Sequence, residues 1–284
     1  MLLADFIAAY ARPDLRRVTR EGHLVSLRLL HAVVRGGSLK GVRRAHVLSM
    51  VEAATAKGMQ RSTIAKHVRY IGAAFAYAIR MGYCTDNPAR DIGIKNVHRP
   101  KGWEYVRGAD VEALLSKIGD QHLRAAVALA RWAGCRINEA LRVQWGDIDF
   151  DCKTITIRPT PDDWGREEEG TKGKLRVVPL DPRVRAMLPA RGDSECVCGS
   201  LAFRDHRRML KRVATWPGQP WHTLRKSCGM DWADKVPIST VADWMGHSVV
   251  VASKYYLKPH AQHFAAITEI MSIPVDMGVE SGRI

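Results

Sequence analysis

A mainly α fold with a small antiparallel β-sheet (α+β), divided into two domains, is what this sequence predicts. Three observations carry it. Apolar residues recur at three- and four-residue intervals through most of the chain. Alternation is confined to two short stretches, 149–158 and 175–178, joined by the turn-rich PTPDDWGREEEGTKG. The length of 284 residues, 46% of them hydrophobic, suits two cores better than one.

Residues 1–95 read as a helical bundle, with helices over 4–11, 19–34, 44–58 and 62–81. The last is the clearest. Ile64, Val68, Ile71, Phe75 and Ile79 form one apolar stripe, Ser62 or Thr63 is a candidate cap, and Gly82 a stop. Lys66, Arg69 and Arg80 fall off the stripe, free to face phosphates. Residues 96–103 read as a linker in which Arg99 and Lys101 flank Pro100, placed to follow a DNA backbone. A second domain spans 104–271. Helices at 109–119, 121–133 and 137–143 precede the two alternating stretches, and helices at 181–189, 203–214, 222–234, 238–245 and 260–271 follow them. The tail, 272–284, is expected to be poorly ordered.

The formal net charge is +15, which points to an anionic partner, nucleic acid before acidic membrane. The charge is concentrated: residues 1–100 hold 17 Lys/Arg against 6 Asp/Glu. A dedicated nucleic-acid-gripping domain carries such a surplus. No segment is long and apolar enough to span a bilayer, and the N-terminal MLLADFIAAYARPDLRR lacks the order of a secretory signal. The six cysteines have no disulfide-framework spacing and read as reduced thiols in a cytoplasm. Cys196 and Cys198 form a CxC pair without a second half, so a zinc site is not expected.

Four clusters hold residues suited to chemistry on phosphate. In AGCRINEAL, Gly134 closes one helix, Arg136 opens the next, and Glu139 lies over the same turn, able to orient local donors. In TKGKLRVVPL, Lys172 and Lys174 sit at a hairpin turn. In WHTLRKSCGMDWA, His222 and Arg225 share a helix face while Trp221, Leu224, Cys228 and Trp232 pack. In WMGHSVVVASKYYL, Gly246 ends a helix, His247 follows it, and Tyr256 comes nine residues later with Tyr255 beside it. Each cluster alone has an ordinary structural explanation; their order is what sets the chain apart.

That order resembles the tyrosine recombinases, or phage integrase family: Arg136, the hairpin Lys172, His222-x-x-Arg225, Gly246-His247, then Tyr256. The resemblance covers nearly the whole chain and implies a core-binding domain over 1–95 and a catalytic domain from 104 to 271. It implies a site-specific DNA recombinase in which Tyr256 forms a covalent 3′-phosphotyrosyl link with no metal, ATP or other cofactor. His222 is the implied base, Arg136, Arg225 and His247 hold the non-bridging oxygens, Lys172 protonates the leaving 5′-oxygen, and Glu139 supports them. Lys174 and Tyr255 remain as alternatives one or two places away. In relatives a C-terminal helix docks on a neighbouring protomer; here Phe264, Ile267 and Ile270 or Met271 share a face, implying a homotetramer on two double-stranded DNA sites. Two rival readings stand beside it: type IB topoisomerase-like relaxation of one duplex, and a DNA-binding protein with a retired active site. Whether the role is integration, excision from a mobile element or resolution is not written in these residues.

Overall fold

The computed structural model describes residues 1–34, 36–94, 104–159, 174–199, 201 and 205–256. They fall into two compact units, one within residues 1–94 and one from 104 onward. Each has its own core.

The first unit packs α1 (Leu3–Ala8), α2 (Arg17–Val34), α3 (Arg44–Ala56) and α4 (Arg61–Arg80). Ile64, Val68, Ile71 and Phe75 turn inward from α4 onto Leu27 and Leu30 of α2, with Phe6 of α1 in the same core. The two long helices approach closely: a Cβ at Gly22 would lie 2.6 Å from the Tyr70 ring. Ser26 Oγ bonds His67 Nδ1 at 2.8 Å, and Tyr10 Oη bonds His23 Nδ1 at 2.7 Å. α4 begins at Arg61, with Gln60 in the capping position and no side-chain cap, so neither Ser62 nor Thr63 plays the expected part. Its end is as expected. Gly82 takes φ +72°, its N–H returns to Ile79 O, and the Tyr83 N–H returns to Ala78 O.

The second unit surrounds a small sheet with helices. It contains α5 (Gly108–Leu115), α6 (Gln121–Trp132), α7 (Ile137–Ala140), β1 (Ile148–Asp149), β2 (Thr154–Ile157), β3 (Arg176–Pro179), α8 (Pro182–Ala186), α9 (His206–Val213), α10 (Pro220–Ala233), α11 (Ile238–Met245) and α12 (Val249–Tyr256). The sheet is antiparallel in the order β1-β2-β3. Residues 149–158 are therefore not one strand. The Asp149 carboxylate accepts the backbone N–H groups of Asp151 and Cys152 at 3.0 and 2.7 Å, and Lys153 takes φ +55°, which folds the stretch into a hairpin.

α6 is buried on nearly every face and forms the spine of this unit. Its Arg131 is 1% exposed, donates to Asp231 Oδ2 at 2.6 Å and to Val106 O at 3.1 Å, and so ties α10 to the spine. Tyr105 donates to the other Asp231 oxygen at 2.5 Å. Burial and that carboxylate push its hydroxyl up to about 12. α10 starts at Pro220, two residues before the expected His222, because proline's fixed φ and missing N–H suit the first helical turn. α12 was not expected as a helix. Its Val249–Val251 run disfavours helix, and burial of Ala252 and Tyr256 overrides that preference. The expected helix over 260–271 lies outside the described residues.

Candidate active site

Three chain reversals build the site. At the end of α6, Gly134 takes φ +61° and Cys135 N–H returns to Leu129 O, so that Arg136 stands at the mouth of α7. A side chain at Gly134 would press on Met245 and Trp232 at 3.0–3.1 Å. At the end of α11, Gly246 takes φ +60°, and its N–H and that of His247 return to Asp243 O and Ala242 O. His247 is thereby fixed one residue past the helix. α12 then brings Tyr256 back against α10. There Gly229 makes room: a Cβ at that position would lie 2.6–2.8 Å from the Tyr256 ring.

Arg136, His222, Arg225, His247 and Tyr256 line one open cleft of about 310 Å³, together with Lys226, Val251 and Tyr255. The Arg225 side chain is 5% exposed. Its guanidinium donates to Gly134 O and Met245 O, one at each of two chain reversals, and meets His247 Nε2 at 3.2 Å. Because Arg225 can only donate, that nitrogen accepts, and the His247 proton sits on Nδ1. The His247 and Tyr256 ring centroids are 6.2 Å apart.

Beneath the cleft lies Glu139, 3% exposed. It accepts the Arg136 backbone N–H at 2.7 Å and Arg136 Nη1 at 2.8 Å, and Arg225 Nη1 lies 3.7 Å away. Arg176 of β3 completes the cluster by donating to both Glu139 oxygens, at 3.2 and 2.7 Å. Three guanidiniums thus face one carboxylate, leaving an excess of positive charge for an anion.

The titrating groups respond accordingly. Burial alone would raise the Glu139 carboxyl, but the Arg176 hydrogen bonds and the three cationic charges bring it below its ordinary value. Burial, then the Arg136 charge, brings Arg225 down to about 10, so it stays cationic at neutral pH. Burial and then Arg225 and Arg136 depress His247 to about 4. Burial and then Lys226, Arg225 and Arg136 lower His222. Both imidazoles are therefore neutral near pH 7. Burial raises the Tyr256 hydroxyl, against the pull of the Arg225 charge.

The remaining expected residues are elsewhere. Lys66, Arg69 and Arg80 are exposed on α4 of the first unit. Lys174 is exposed two residues before β3, and Lys172, Arg99 and Lys101 lie outside the described residues. Tyr255 is 39% exposed, with the Lys226 and Lys254 ammonium groups 5.6 and 6.0 Å from its ring centroid. Three participants were not expected: Arg176, Lys226 and Gly229. Arg176 had a signal, since it shares its strand phase with Val178 and Leu180 and so points inward. Among the described residues no cluster of three or more His, Cys, Asp or Glu is arranged to hold a metal ion.

Comparison with known proteins bears on the family and the fold. Residues 104–198 match the Phage integrase family. A tyrosine recombinase of Thermosipho africanus is 26% identical over 219 residues, covering 72% of this chain and 74% of its own. Among solved structures, the Tn1549 transposon integrase in complex with transposon right-end DNA superposes with TM-score 0.68 at 18% identity, over 95% of this chain and 99% of that one. A lambda integrase tetramer bound to a Holliday junction gives 0.69 at 14% identity, over 91% and 78%. Residues 104–198 thus resemble the phage integrase family, the curated relative is a tyrosine recombinase, and the fold of nearly the whole chain is that of the solved integrases.

Proposed function

We propose that this protein is a site-specific DNA recombinase that breaks and rejoins strands through a 3′-phosphotyrosyl intermediate on Tyr256. One observation carries the reading: two guanidiniums, two imidazoles and a phenol from three separate sequence clusters line a single cleft.

Tyr256 Oη attacks the scissile phosphorus in line, the new P–O bond forms as the P–O5′ bond breaks, and the strand leaves as a 5′-hydroxyl. Unassisted loss of a phenol proton at neutral pH costs roughly 4 kcal/mol. His222, neutral and in the same cleft, takes that proton. Arg136 and Arg225 hold the non-bridging oxygens, where charge grows in the transition state. His247, neutral near pH 7, donates a further hydrogen bond there. The hairpin lysine, Lys172 by family order, protonates the leaving O5′. A second 5′-hydroxyl then attacks the phosphotyrosine and expels the phenolate, a better leaving group than an alkoxide. The bond energy is kept in the protein–DNA link, so ATP is not needed, and the fixed cations do the work a metal would otherwise do.

Exposed Lys66, Arg69 and Arg80, with Arg99 and Lys101, grip the duplex backbone as a core-binding domain would. The reaction joins two sites and suits a tetramer, as the lambda integrase assembly on a Holliday junction illustrates. A cytoplasmic location follows from the DNA substrate; among the described residues no helix is long and apolar enough to cross a membrane.

The test uses a nicked duplex carrying the site that the wild-type protein selects from a random pool. A covalent protein–DNA band should form in EDTA, vanish in Tyr256→Phe and persist in Tyr255→Phe. A band that needs magnesium, or that survives Tyr256→Phe, would contradict the reading.

A further inference from the structure

We propose that Arg176 is a positioning residue for the strand-cleavage step, joining the anchor of Arg136 to the turn that presents His247. The inference rests on the reading of the cleft as a phosphodiester site.

Arg176 occupies an inward position of β3, opposite Ile157 in the ladder and in phase with Val178, where an apolar side chain is the ordinary choice. Its side chain is 4% exposed, which is costly for a cation unless every donor is well used. The donors are used in a particular way. Nη1 and Nη2 bind the Glu139 carboxylate at 3.2 and 2.7 Å, while Nε binds Trp244 O at 2.7 Å in the last turn of α11. Glu139 in turn holds the backbone N–H and guanidinium of Arg136. Trp244 is followed by Met245, whose carbonyl Arg225 takes, and then by Gly246 and His247.

One planar group therefore locks three chain segments: the start of α7, strand β3 and the end of α11. A guanidinium offers the fork for a carboxylate and a third donor along a different edge; an ammonium of equal charge has neither the plane nor the reach for both. Arg176 does not itself line the cleft: it sits behind Glu139 and the α11 turn, and its influence on the reacting phosphate runs through Arg136 and His247. Misplacement of reacting groups by about 1 Å costs on the order of 10²-fold in rate.

The test compares wild type, Arg176→Lys and Arg176→Gln on the pool-selected nicked duplex, in single-turnover covalent-complex formation, with DNA affinity and thermal melting measured alongside. A second substrate carries a methylphosphonate at the scissile position, which removes the charge that the guanidiniums hold. Arg176→Lys is expected to fold and bind DNA within ~3-fold of wild type yet cleave the phosphodiester at least ~30-fold more slowly. The deficit should shrink several-fold on the methylphosphonate, because a neutral linkage leans less on aligned cations. Arg176→Lys cleaving like wild type, an equal deficit on both substrates, or loss of the fold in both variants would overturn the proposal and leave Arg176 a purely structural arginine. If wild type itself forms no covalent complex, the functional reading fails first.

Discussion

The protein carries its positive charge in two physically different ways. On α4 of the first unit, Lys66, Arg69 and Arg80 are exposed, and Lys66 lies over the Tyr70 ring at 5.2 Å. In the second unit Arg176 and Arg225 are almost wholly buried, and Arg136 is pinned by Glu139. Exposed cations are screened by salt and keep their rotamer freedom. Buried ones have met their desolvation and ordering costs on folding, so they act on an incoming anion at fixed positions and in low dielectric. The first arrangement suits holding a duplex, the second changing it.

Substitutions should separate the two in proportion. Tyr256→Phe removes the nucleophile and should abolish the covalent adduct while leaving DNA affinity within a few-fold. Arg225→Ala should come next. It strips Gly134 O and Met245 O of their donor and takes a cation from the cleft. Cleavage should fall by about 10³-fold, with a stability loss of about 3–5 kcal/mol in denaturant melts, the typical cost of breaking a buried charge network. Gly229→Ala should slow cleavage by roughly 10-fold or more, since its new methyl group meets the Tyr256 ring at 2.6 Å and must displace it. Equal rates in Gly229→Ala would mean that this ring position is not the one used.

The pH dependence belongs to the buried cluster too. His222 acts as a base only when neutral, and its folded value lies below the ordinary 6.5. Cleavage should therefore hold through pH 6.5 and fall only as the pH drops through the lowered value, with the acid limb lost in His222→Ala. Glu139 runs the same way for stability. Its depressed folded value contributes stability above the ordinary 4.5, and that contribution is lost as pH falls through the folded value. Glu139→Gln should flatten that acid-side decline in thermal melts.

The exposed set should give the smallest effect. Alanine at Lys66, Arg69 and Arg80 should reduce the slope of log K against log salt by about 0.9 for each phosphate contact removed, with the cleavage rate at saturating DNA unchanged. A rate loss that saturating DNA does not restore would move those residues from grip to chemistry.

What was legible from sequence followed from local rules. Gly82 and Gly246 stop their helices because glycine tolerates the left-handed turn, so the position of His247 was visible. The α4 stripe followed from its period. What escaped depends on contacts far along the chain. The helix that carries Tyr256 opens on Val249–Val251, residues of low helix propensity, and its burial against α10 decides it. Arg176 has an inward strand phase, but its partners Glu139 and Trp244 are remote in sequence, so its role does not show there. Gly229 carries no local signal at all; its meaning lies in the ring that packs on it. Asp149 folding its own strand into a hairpin was visible in principle, through a short acidic side chain beside two free backbone donors.

The most direct test of the central claim is to trap the covalent complex on nicked duplex, digest the DNA and the protein, and sequence the nucleotide-bearing peptide by mass spectrometry. The modification should sit on Tyr256, joined to a 3′-phosphate. An adduct on Tyr255 or any other residue, or a 5′-phosphate linkage, would contradict it.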